Sequence, residues 1–442
     1  MADFAPESLA AALSPLGGAG QVWVAYSGGL DSLALLAAAA AVRERLPGPL
    51  QAVHADHGLH PDSAGWAAHC ARVCARLAVP CRVHRLALRR TPGDSLEAAA
   101  REARYAAFAA LLDPGDLLLA AHTQDDQAET LLLALIRGSG VHGLAAMPRV
   151  ATLGAGRLVR PLLGVRRAEL EAYVRPLGLD WIEDPSNEVQ SFDRNYLRHR
   201  VLPALRARWP AISATVSRSA AHCAEAADLT DRLAGQALAG LAGERPGTLS
   251  IAGLQALDPP LRKAALRLWI ARQGFVRPDR AHLARILGEI LPARPDAAPL
   301  VAWHGCEIRR YRGDLIALAP LPAPPHGLAL RWEGPTLELP PPLGTLERSP
   351  ASSARPLVVR FGVAPLDCRP PGHAHRRPLK KLFQESGIPA WLRPYIPLLF
   401  DGELLVGVAG VCRCAQSGVA EAQIRWSGHP WESLLRLRQP IG

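Results

Sequence analysis

A short polar turn between two apolar runs is the first place in this sequence where residue types suggest chemistry. Residues 22–26 (VWVAY) read as a strand, residues 27–32 (SGGLDS) as a tight glycine turn, and the alanine- and leucine-rich run that follows as a helix. The N–H groups of such a turn and of the first helical turn have no internal partner, and they point towards a ligand. The turn is therefore predicted to bind phosphate groups.

This turn lacks the lysine of the usual phosphate-binding loop. The chain contains no G-x-x-x-x-G-K-[ST], and none of its three lysines follows a glycine. Gly28 and Gly29 allow positive φ and a close approach of the backbone to a ligand. Ser27 and Ser32 offer hydroxyl groups to phosphate oxygens. Backbone and hydroxyl groups, rather than a lysine, are expected to hold the phosphates.

Asp31 is out of place in a pure anion site. A carboxylate beside phosphates usually means a bridging Mg²⁺ or a part in the reaction. The alternative is that Asp31 only favours the start of the helix. The order of strand, turn and long helix favours the ligand-binding interpretation and makes Asp31 a candidate Mg²⁺ ligand.

A second polar cluster lies in residues 120–130 (AAHTQDDQAET). Asp126 and Glu129 are three residues apart, so both carboxylates can share one face of a helix and hold an ammonium group or a metal. His122, at a strand end, could act on a phosphate or a proton. The alternative is a capped helix whose acidic residues favour the helix dipole; both can hold together.

Two arginines of a third motif could stabilise phosphate charge. Arg101 and Arg104 lie on the helical pattern EAAAREARY. A guanidinium near a triphosphate would stabilise the charge of the leaving group. A surface salt-bridge face is the alternative, and the spacing does not decide between the two arginines.

The elements that must position these residues alternate along the first part of the chain. Strand-like runs lie at 22–26, 50–55, 81–88 and 116–121, and helical patterns at about 32–45, 62–78, 94–112 and 125–137. This alternation predicts an α/β fold with a doubly wound parallel sheet. Crossovers of this kind place all strand C-termini at one edge, where ligands bind. The polar clusters after the first, second and fourth strands are therefore expected to meet.

The rest of the chain is predicted to form further domains. We expect an α/β domain with the phosphate-binding turn over 1–215, a mainly helical domain over 216–330, a Pro/Ser-rich linker over 331–355 and a small mixed α+β C-terminal domain over 356–442. The breaks follow the change to helical periodicity and the proline-rich stretches PLPAPPHG and LPPPLGTLERSPASSARP.

Composition restricts the class of protein. At 442 residues, several domains are expected, and a net charge of +10 suggests an acidic partner, nucleic acid before others. The eight cysteines are scattered without a C-x-x-C, so we expect reduced thiols in a cytoplasmic enzyme, with Cys412 and Cys414 as small buried residues. No signal peptide or membrane span is predicted. The sequence leaves open whether the chain is a monomer or a homodimer.

The motifs, taken in order, resemble one enzyme family. SGGLDS is similar to the pyrophosphate loop (PP-loop) of the ATP-pyrophosphatase superfamily, which cleaves ATP between its α and β phosphates. Together with VHADHGL, EAAAREARY, DDQAET, RGSG and EDPSN…RN, it resembles the tRNA(Ile)-lysidine synthetases. The resemblance covers most of the chain, and RRPLKKLFQESGIPAWLRPYIPLLFDGELLVGVAG is similar to that family's terminal domain.

The resemblance implies a reaction and roles for residues. ATP would adenylate the C2 oxygen of the wobble cytidine (position 34) in the CAU anticodon of tRNA(Ile), and the ε-amine of free lysine would displace AMP. Asp31, Arg101 or Arg104 and His122 would surround the activation centre, and Asp126 with Glu129 would bind the lysine. The resemblance also implies two larger sets of residues, one that binds ATP and one that binds tRNA. The ATP set comprises Ala25, Ser27, Gly28, Gly29, Leu30, Asp31, Ser32 and His54, and the tRNA set comprises Arg194, Arg198, Arg376, Arg377, Lys380, Lys381 and Arg393.

The sequence departs from the family pattern near the predicted site. The family usually has a second histidine where this chain has Thr123, and an arginine where it has His60. The nearest alternative function is a PP-loop enzyme that thiolates tRNA. That chemistry commonly needs paired catalytic cysteines, and the polar clusters contain none. A non-catalytic tRNA-binding module would predict a decayed loop, whereas the loop residues are intact.

Overall fold

The computed structural model describes residues 4–58, 60–86, 96–184, 192–294, 297–349, 356–362, 366–414 and 423–435. The chain divides into two compact units, Met1–Leu229 and Thr230–Gly442. The division falls inside one long helix, Ile212–Leu238.

The first unit is built on a six-stranded sheet. Its strands, in chain order, are β1 (Val22–Ala25), β2 (Leu50–Asp56), β3 (Cys81–Arg85), β4 (Leu117–Leu119), β5 (Val150–Leu153) and β6 (Gly156–Val159). Their order across the sheet is β3-β2-β1-β4-β6-β5, and every pairing is parallel except that of β5 with β6. This arrangement confirms the predicted doubly wound α/β fold.

Helices cover both faces of this sheet. The helices of this part of the chain are α1 (Pro6–Leu13), α2 (Leu30–Ala41), α3 (Ser63–Arg76), α4 (Leu96–Leu111), α5 (Gln124–Ile136), α6 (Val141–Leu144), α7 (Arg167–Val174), α8 (Asp193–Tyr196), α9 (Leu202–Arg208) and α10 (Ile212–Leu238), the last of which continues past Leu229. A π-helical segment, Leu197–Val201, joins α8 to α9. The alanine-rich α2 is almost wholly buried because small side chains let it pack closely against α1 and α7.

The second unit begins with helices and a small antiparallel sheet. The helices are α11 (Ile251–Ala256), α12 (Pro259–Arg272) and α13 (Arg280–Arg285), and the sheet contains β7 (Leu249–Ser250), β8 (Leu300–Trp303), β9 (Cys306–Tyr311) and β10 (Asp314–Leu318). Their apolar faces share one core around Leu266, Ile286 and Ile308. A mainly helical domain over 216–330 was predicted; the structure places both helices and a four-stranded sheet in this stretch, and the proposed domain boundaries stay a prediction.

The last part of the chain is rich in short antiparallel strands. These are β11 (Ala329–Trp332), β12 (Thr336–Glu338), β13 (Thr345–Ser349), β14 (Leu357–Arg360), β15 (Asp367–Cys368), β16 (Arg377–Pro378), β17 (Leu398–Asp401), β18 (Leu404–Val408), β19 (Cys412–Arg413) and β20 (Gln423–Ser427). Two helices, α14 (Leu379–Glu385) and α15 (Glu432–Leu435), complete it. Strands β12 and β13 lie inside 331–355, so the expectation of a linker there is corrected.

One prediction about the cysteines is also wrong. Cys368 and Cys414 form a disulfide, and the Sγ of Cys412 lies 3.9 Å from the Sγ of Cys368. Cys414 is buried, as expected for a small residue, but it is bonded rather than reduced. Its partner lies 46 residues away in the sequence. Cys368 belongs to β15 and Cys414 follows β19 of a different sheet, and the packing of the two sheets could not be predicted from the spacing of cysteines.

In the described part of the chain, no helix is long and apolar enough to cross a membrane.

Candidate active site

The glycine turn after β1 has the geometry of an anion-binding loop. Gly28 has a φ of +90°, and a Cβ there would lie 2.6 Å from the Cδ1 of Ile182. Only glycine fits such a position. Gly29 is the N-cap of α2, and the Ser32 hydroxyl donates to the Gly29 carbonyl at 2.9 Å. The Oγ atoms of Ser27 and Ser32 are 3.0 Å apart, so both hydroxyls lie at the start of α2.

Asp31 lies in the first turn of α2 and is only partly neutralised. The Nη1 of Arg167 donates to its Oδ2 at 2.8 Å. Its Oδ1 is buried and has no hydrogen-bond partner among the described residues. Burial raises the pKa of Asp31 to about 6, although the guanidinium of Arg167 works in the opposite direction. The unpartnered oxygen gives Asp31 a free coordination position.

A cavity of about 370 Å³ opens beside this turn. Its lining includes Ala25 at the end of β1, and His54 and Ala55 near the end of β2. The Nδ1 of His54 lies 2.9 Å from the Tyr26 carbonyl and donates to it, and burial lowers the pKa of this imidazole. The His54 ring is therefore held neutral.

His122 lines the same cavity at the end of β4. Burial lowers its pKa to about 4, against the raising influence of Asp126. Its Nδ1 is a buried atom without a hydrogen-bond partner among the described residues. His122 is thus a neutral imidazole at pH 7 with a free ring nitrogen in the cavity wall.

The structure distinguishes the two arginines that spacing could not separate. Arg104 lines the cavity, and burial lowers the pKa of its guanidinium. Arg101 is exposed and contacts the ring of Tyr105, with its guanidinium carbon 5.0 Å from the ring centroid. Arg104 is therefore the arginine that faces the cavity.

Asp126 and Glu129 lie on one face of α5, as their spacing predicted, but they are not open. The Nε of Arg194 donates to Glu129 at 2.8 Å and its Nη2 to Asp126 at 3.0 Å. The Nε of Arg198 donates to Glu129 at 2.7 Å and its Nη2 to Asp126 at 3.0 Å. The Glu129 side chain is fully buried, which a carboxylate tolerates only when it is paired.

The local fold also fixes the charge of Asp126. Thr123, the N-cap of α5, donates its backbone N–H to Asp126 Oδ2 at 2.8 Å and its hydroxyl at 3.0 Å. Burial acts to raise the pKa of Asp126, but the guanidinium of Arg194 and the Thr123 N–H outweigh it and lower the pKa. Thr123, one of the two departures from the family pattern, is thus a capping residue of α5. His60, the other, stacks on Trp66.

The arginines of this cluster already have partners within the chain, and their predicted contact with tRNA stays a prediction. Arg194 and Arg198 were expected to contact tRNA, but their guanidiniums are bound to Asp126 and Glu129 in this structure. Arg194 and Arg198 are four residues apart, and the two carboxylates are three apart. Each spacing is about one helical turn, so the two pairs can face each other. That match was present in the sequence, but nothing there joined the two segments.

Two further residues near the site, Arg167 and Asp125, were not predicted to belong to it. Arg167, at the start of α7, pairs with Asp31, and its backbone N–H donates to Asp125 Oδ2 at 3.4 Å. Asp125 also accepts from the Ser213 hydroxyl at 3.0 Å and pairs with Arg206. Asp125, Asp126 and Glu129, the three acidic residues of α5, are therefore each ion-paired with at least one arginine.

The basic residues predicted near the C-terminus are not equivalent. Lys380, Lys381 and Arg376 are exposed. Arg377 is ion-paired with Glu385, and Arg393 donates to the Ile388 carbonyl at 3.3 Å. Two aromatic residues of the same region, Trp391 and Tyr395, are core side chains rather than a surface.

Comparisons with known proteins give the following matches. A family model described as the PP-loop domain matches residues 5–205, the TilS substrate binding domain matches 249–316, and the TilS substrate C-terminal domain matches 357–429. A tRNA(Ile)-lysidine synthase of Coxiella burnetii is 42% identical over 420 residues, 93% of each chain. One of Methylococcus capsulatus is 43% identical over 392 residues, 86% of this chain and 89% of the relative.

Solved structures give a more distant likeness. The U34-tRNA thiolase NcsA from Methanococcus maripaludis has a TM-score of 0.43 at 15% identity, covering 50% of this chain and 78% of that chain.

Proposed function

The chain belongs to the tRNA(Ile)-lysidine synthase family, and from this premise we propose that it forms lysidine at cytidine 34 of the CAU anticodon of tRNA(Ile). The C2 oxygen of the cytidine attacks the α-phosphorus of ATP, and the bond between the α and β phosphates breaks to release pyrophosphate. The lysine ε-nitrogen then attacks C2, and AMP leaves with the oxygen. The enzyme is a ligase that forms a carbon–nitrogen bond and changes codon reading from AUG to AUA.

The single cavity beside the glycine turn carries this proposal. It joins a phosphate-binding turn (Ser27, Ser32), a backbone edge for adenine (Ala25, Ala55) and two groups suited to the reacting centre (Arg104, His122). The turn would hold the β and γ phosphates as a leaving group, so a lysine for γ-phosphate transfer is not needed. The cationic Arg104 would oppose the charge that develops on the phosphates.

His122 would contribute a hydrogen bond rather than a positive charge. Its pKa of about 4 keeps the imidazole neutral near pH 7. A neutral ring can donate from one nitrogen and accept at the other. It would therefore orient the cytidine C2 oxygen or accept a proton from the incoming lysine.

Asp31 would hold Mg²⁺ when ATP is bound. Mg²⁺ is usually bound by one or two carboxylates together with substrate phosphates, and the buried Oδ1 of Asp31 has no other partner in the described residues. A bound Mg²⁺ supplies neutralisation of the pyrophosphate charge. Arg167 would share the Asp31 carboxylate with it through Oδ2.

Asp126 and Glu129 would bind the ammonium group of the lysine substrate. Charge complementarity supports this role, but the carboxylate oxygens already accept from Arg194 and Arg198. A lysine can enter only when at least one guanidinium gives up an oxygen. Lysine binding is therefore expected to move the segment that contains both arginines.

A thiolation reaction has less support. The cavity lining, as far as the described residues show, contains no cysteine. The Sγ of Cys70 lies 3.4 Å from the Nδ1 of His54, which lines the cavity, and burial raises the pKa of the Cys70 thiol to about 12. A thiol in that state is a poor nucleophile.

Incorporation of labelled lysine tests the proposal. Unmodified CAU-anticodon tRNA(Ile) and the methionine tRNA, which has the same anticodon, are incubated with enzyme, ATP and Mg²⁺. Label confined to tRNA(Ile) and dependent on ATP would support reaction and substrate together. An Asp31→Ala variant should bind tRNA but incorporate no label. Cleavage of ATP to AMP and pyrophosphate without label would require another nucleophile.

A further inference from the structure

The exposed aromatic side chains of this protein are confined to one short stretch. The chain has ten tryptophans, six tyrosines and seven phenylalanines, all within the described residues. Among them, only Phe192, Tyr196 and Trp209 are exposed, at 42%, 52% and 55%. Exposed apolar residues scattered singly need no explanation. Three exposed aromatic residues within 18 positions, in a chain that covers its others, indicate a surface with a partner.

The backbone presents two of these side chains together. Phe192 is the N-cap of α8, and its carbonyl accepts from the Tyr196 N–H at 2.9 Å. Residues four apart lie on the same side of a helix. Trp209 caps the end of α9, and the guanidinium carbon of Arg208 lies 5.8 Å from its ring centroid.

The same stretch is attached to the candidate active site by its other side. Arg194 and Arg198 bind Asp126 and Glu129, and Arg206 binds Asp125. The segment therefore has an inner face of arginines on the site's carboxylates and an outer set of aromatic rings. Whatever contacts these rings lies next to the place where lysine is expected to react.

Charge and chemistry select the partner. Exposed aromatic rings with arginines beside them bind unpaired nucleobases, because bases stack on the rings while the guanidiniums meet the phosphates. A protein partner would favour apolar neighbours, whereas the exposed Arg200 and Arg208 lie in the same stretch as the rings, and Arg208 lies beside Trp209. A base that reacts in a buried cavity must leave its stack, and this exposes its neighbours to the protein.

We propose that Phe192, Tyr196 and Trp209 form a stacking surface for unpaired bases of the tRNA anticodon loop that flank the reacting cytidine. This inference rests on the proposed function for the identity of the RNA. The surface holds the flanking bases on the rings, and cytidine 34 turns towards the cavity.

A 17-nucleotide anticodon stem–loop with a CAU anticodon tests the surface. The adenine of the triplet is replaced by 2-aminopurine, whose fluorescence is quenched when it stacks. Full-length protein is compared with Tyr196→Ala, Trp209→Ala and the double variant Phe192→Ala/Tyr196→Ala. Each single variant should bind the stem–loop about tenfold more weakly, and the quenching should decrease.

Two controls separate stacking from other effects. Tyr196→Phe keeps the ring and should bind within about twofold of the wild type. Val276→Ala removes an exposed apolar side chain from the other unit. ATP binding should be unchanged in all variants, because none of these residues lines the cavity.

The outcomes are decisive. Unchanged affinity and quenching in the alanine variants would overturn the proposal, as would a loss of self-association in these variants without a loss of RNA binding, since the surface would then join two copies of the chain. If the variants behave as expected but the wild type forms no lysidine, the surface stands and the proposed reaction fails. If the wild type forms lysidine and the alanine variants bind the stem–loop as the wild type does, the proposed reaction stands and the stacking surface fails.

Discussion

At the scale of single residues, Asp31 is the clearest conflict between stability and function. Its carboxylate lies in the first turn of α2 with one oxygen on Arg167 and the other unpartnered among the described residues. Burial outweighs the arginine and raises the pKa from 3.8 to about 6. Such a charge is retained when a ligand uses it, and it costs stability until that ligand binds.

Asp31→Asn should therefore make the free protein more stable while abolishing lysidine formation. A raised pKa means that the folded state binds more protons than the unfolded state between pH 4 and 6, so the wild type loses stability as the pH rises through that range. The cost is fully present above pH 6 and absent below the unfolded pKa of 3.8. At pH 7.5 the free energy of unfolding of Asp31→Asn should exceed that of the wild type by about 1–3 kcal/mol.

Urea unfolding of both proteins at pH 7.5 and pH 4, with EDTA and without ATP, checks this expectation. The difference in free energy of unfolding between Asp31→Asn and the wild type should be smaller at pH 4 than at pH 7.5. An asparagine variant that is less stable at pH 7.5 would show that the ion pair with Arg167 outweighs the burial of the charge.

Asp126→Asn should raise the KM for lysine at least about tenfold, because the ammonium group would no longer have this charged acceptor for its hydrogen bond. The KM for ATP should change little, since Asp126 does not line the cavity. Steady-state kinetics with each substrate varied provides the measurement. Asp125→Asn, one residue away and bound to Arg206 and Ser213, is the matched control and should leave the lysine KM unchanged. Equal effects of Asp126→Asn on both substrates would indicate that the pair holds a metal.

Most of the site residues that sequence patterns could predict follow strand ends. Ser27, Asp31 and His122 were predicted because parallel strands bring their C-termini to one edge. Arg167 and Arg194 were not identified as partners of the site carboxylates, because their partners are 136 and 68 residues away. A contact of that length depends on how helices pack, which residue spacing does not contain.

At the scale of elements, the cap of α5 connects helix formation to the site. Thr123 and Asp126 form a capping box in which each side chain accepts from the other's backbone N–H. The same carboxylate receives the two arginines through its other oxygen, Oδ1. The helix start therefore orients Asp126 before any ligand binds.

Thr123→Val should cost about 0.5–2 kcal/mol, the usual effect of losing an N-cap hydroxyl. Valine keeps the shape of the buried threonine but cannot accept from the Asp126 N–H or donate to its carboxylate. Asp126 should then be less well oriented, and the KM for lysine should rise as well. Urea unfolding and lysine kinetics measure the two effects, and Thr123→Ser, which keeps the hydroxyl, should show little of either. A loss of stability without a change in lysine KM would separate the cap from the site.

Strands that alternate with helices were predictable, whereas a strand within a proline-rich stretch was not. Four of the five strands with parallel pairings, β1 to β4, were recognised because apolar runs alternate with helical patterns. Strand β13 was assigned to a linker, since it follows a proline-rich stretch and one of its two buried side chains is Arg348. That arginine donates to the Gly334 carbonyl at 2.8 Å, and an inward-facing arginine hides the apolar alternation that marks a strand.

At the scale of the whole molecule, net charge was a sound guide to the partner class but not to individual contacts. A net charge of +10 indicated nucleic acid, and the comparisons agree. Of the basic residues chosen from the C-terminal segment, Arg377 and Arg393 are occupied by intramolecular contacts. Lys380 and Lys381, in the first turns of α14, are exposed. They are the better candidates for phosphate contacts.

Replacing Lys380 and Lys381 together by alanine should weaken tRNA binding and flatten its dependence on salt. Each lysine that neutralises a phosphate releases counterions, so the slope of log K against log salt should fall by about 1 for each phosphate that is no longer neutralised. Affinities for tRNA(Ile) measured between 50 and 300 mM salt give this slope. Lys263→Ala removes the only other lysine of the chain, an exposed residue on α12, and serves as the matched control. Because phosphate contacts position the RNA without reading its sequence, methionine tRNA should lose affinity equally. An unchanged slope would assign the phosphate contacts to the arginines instead.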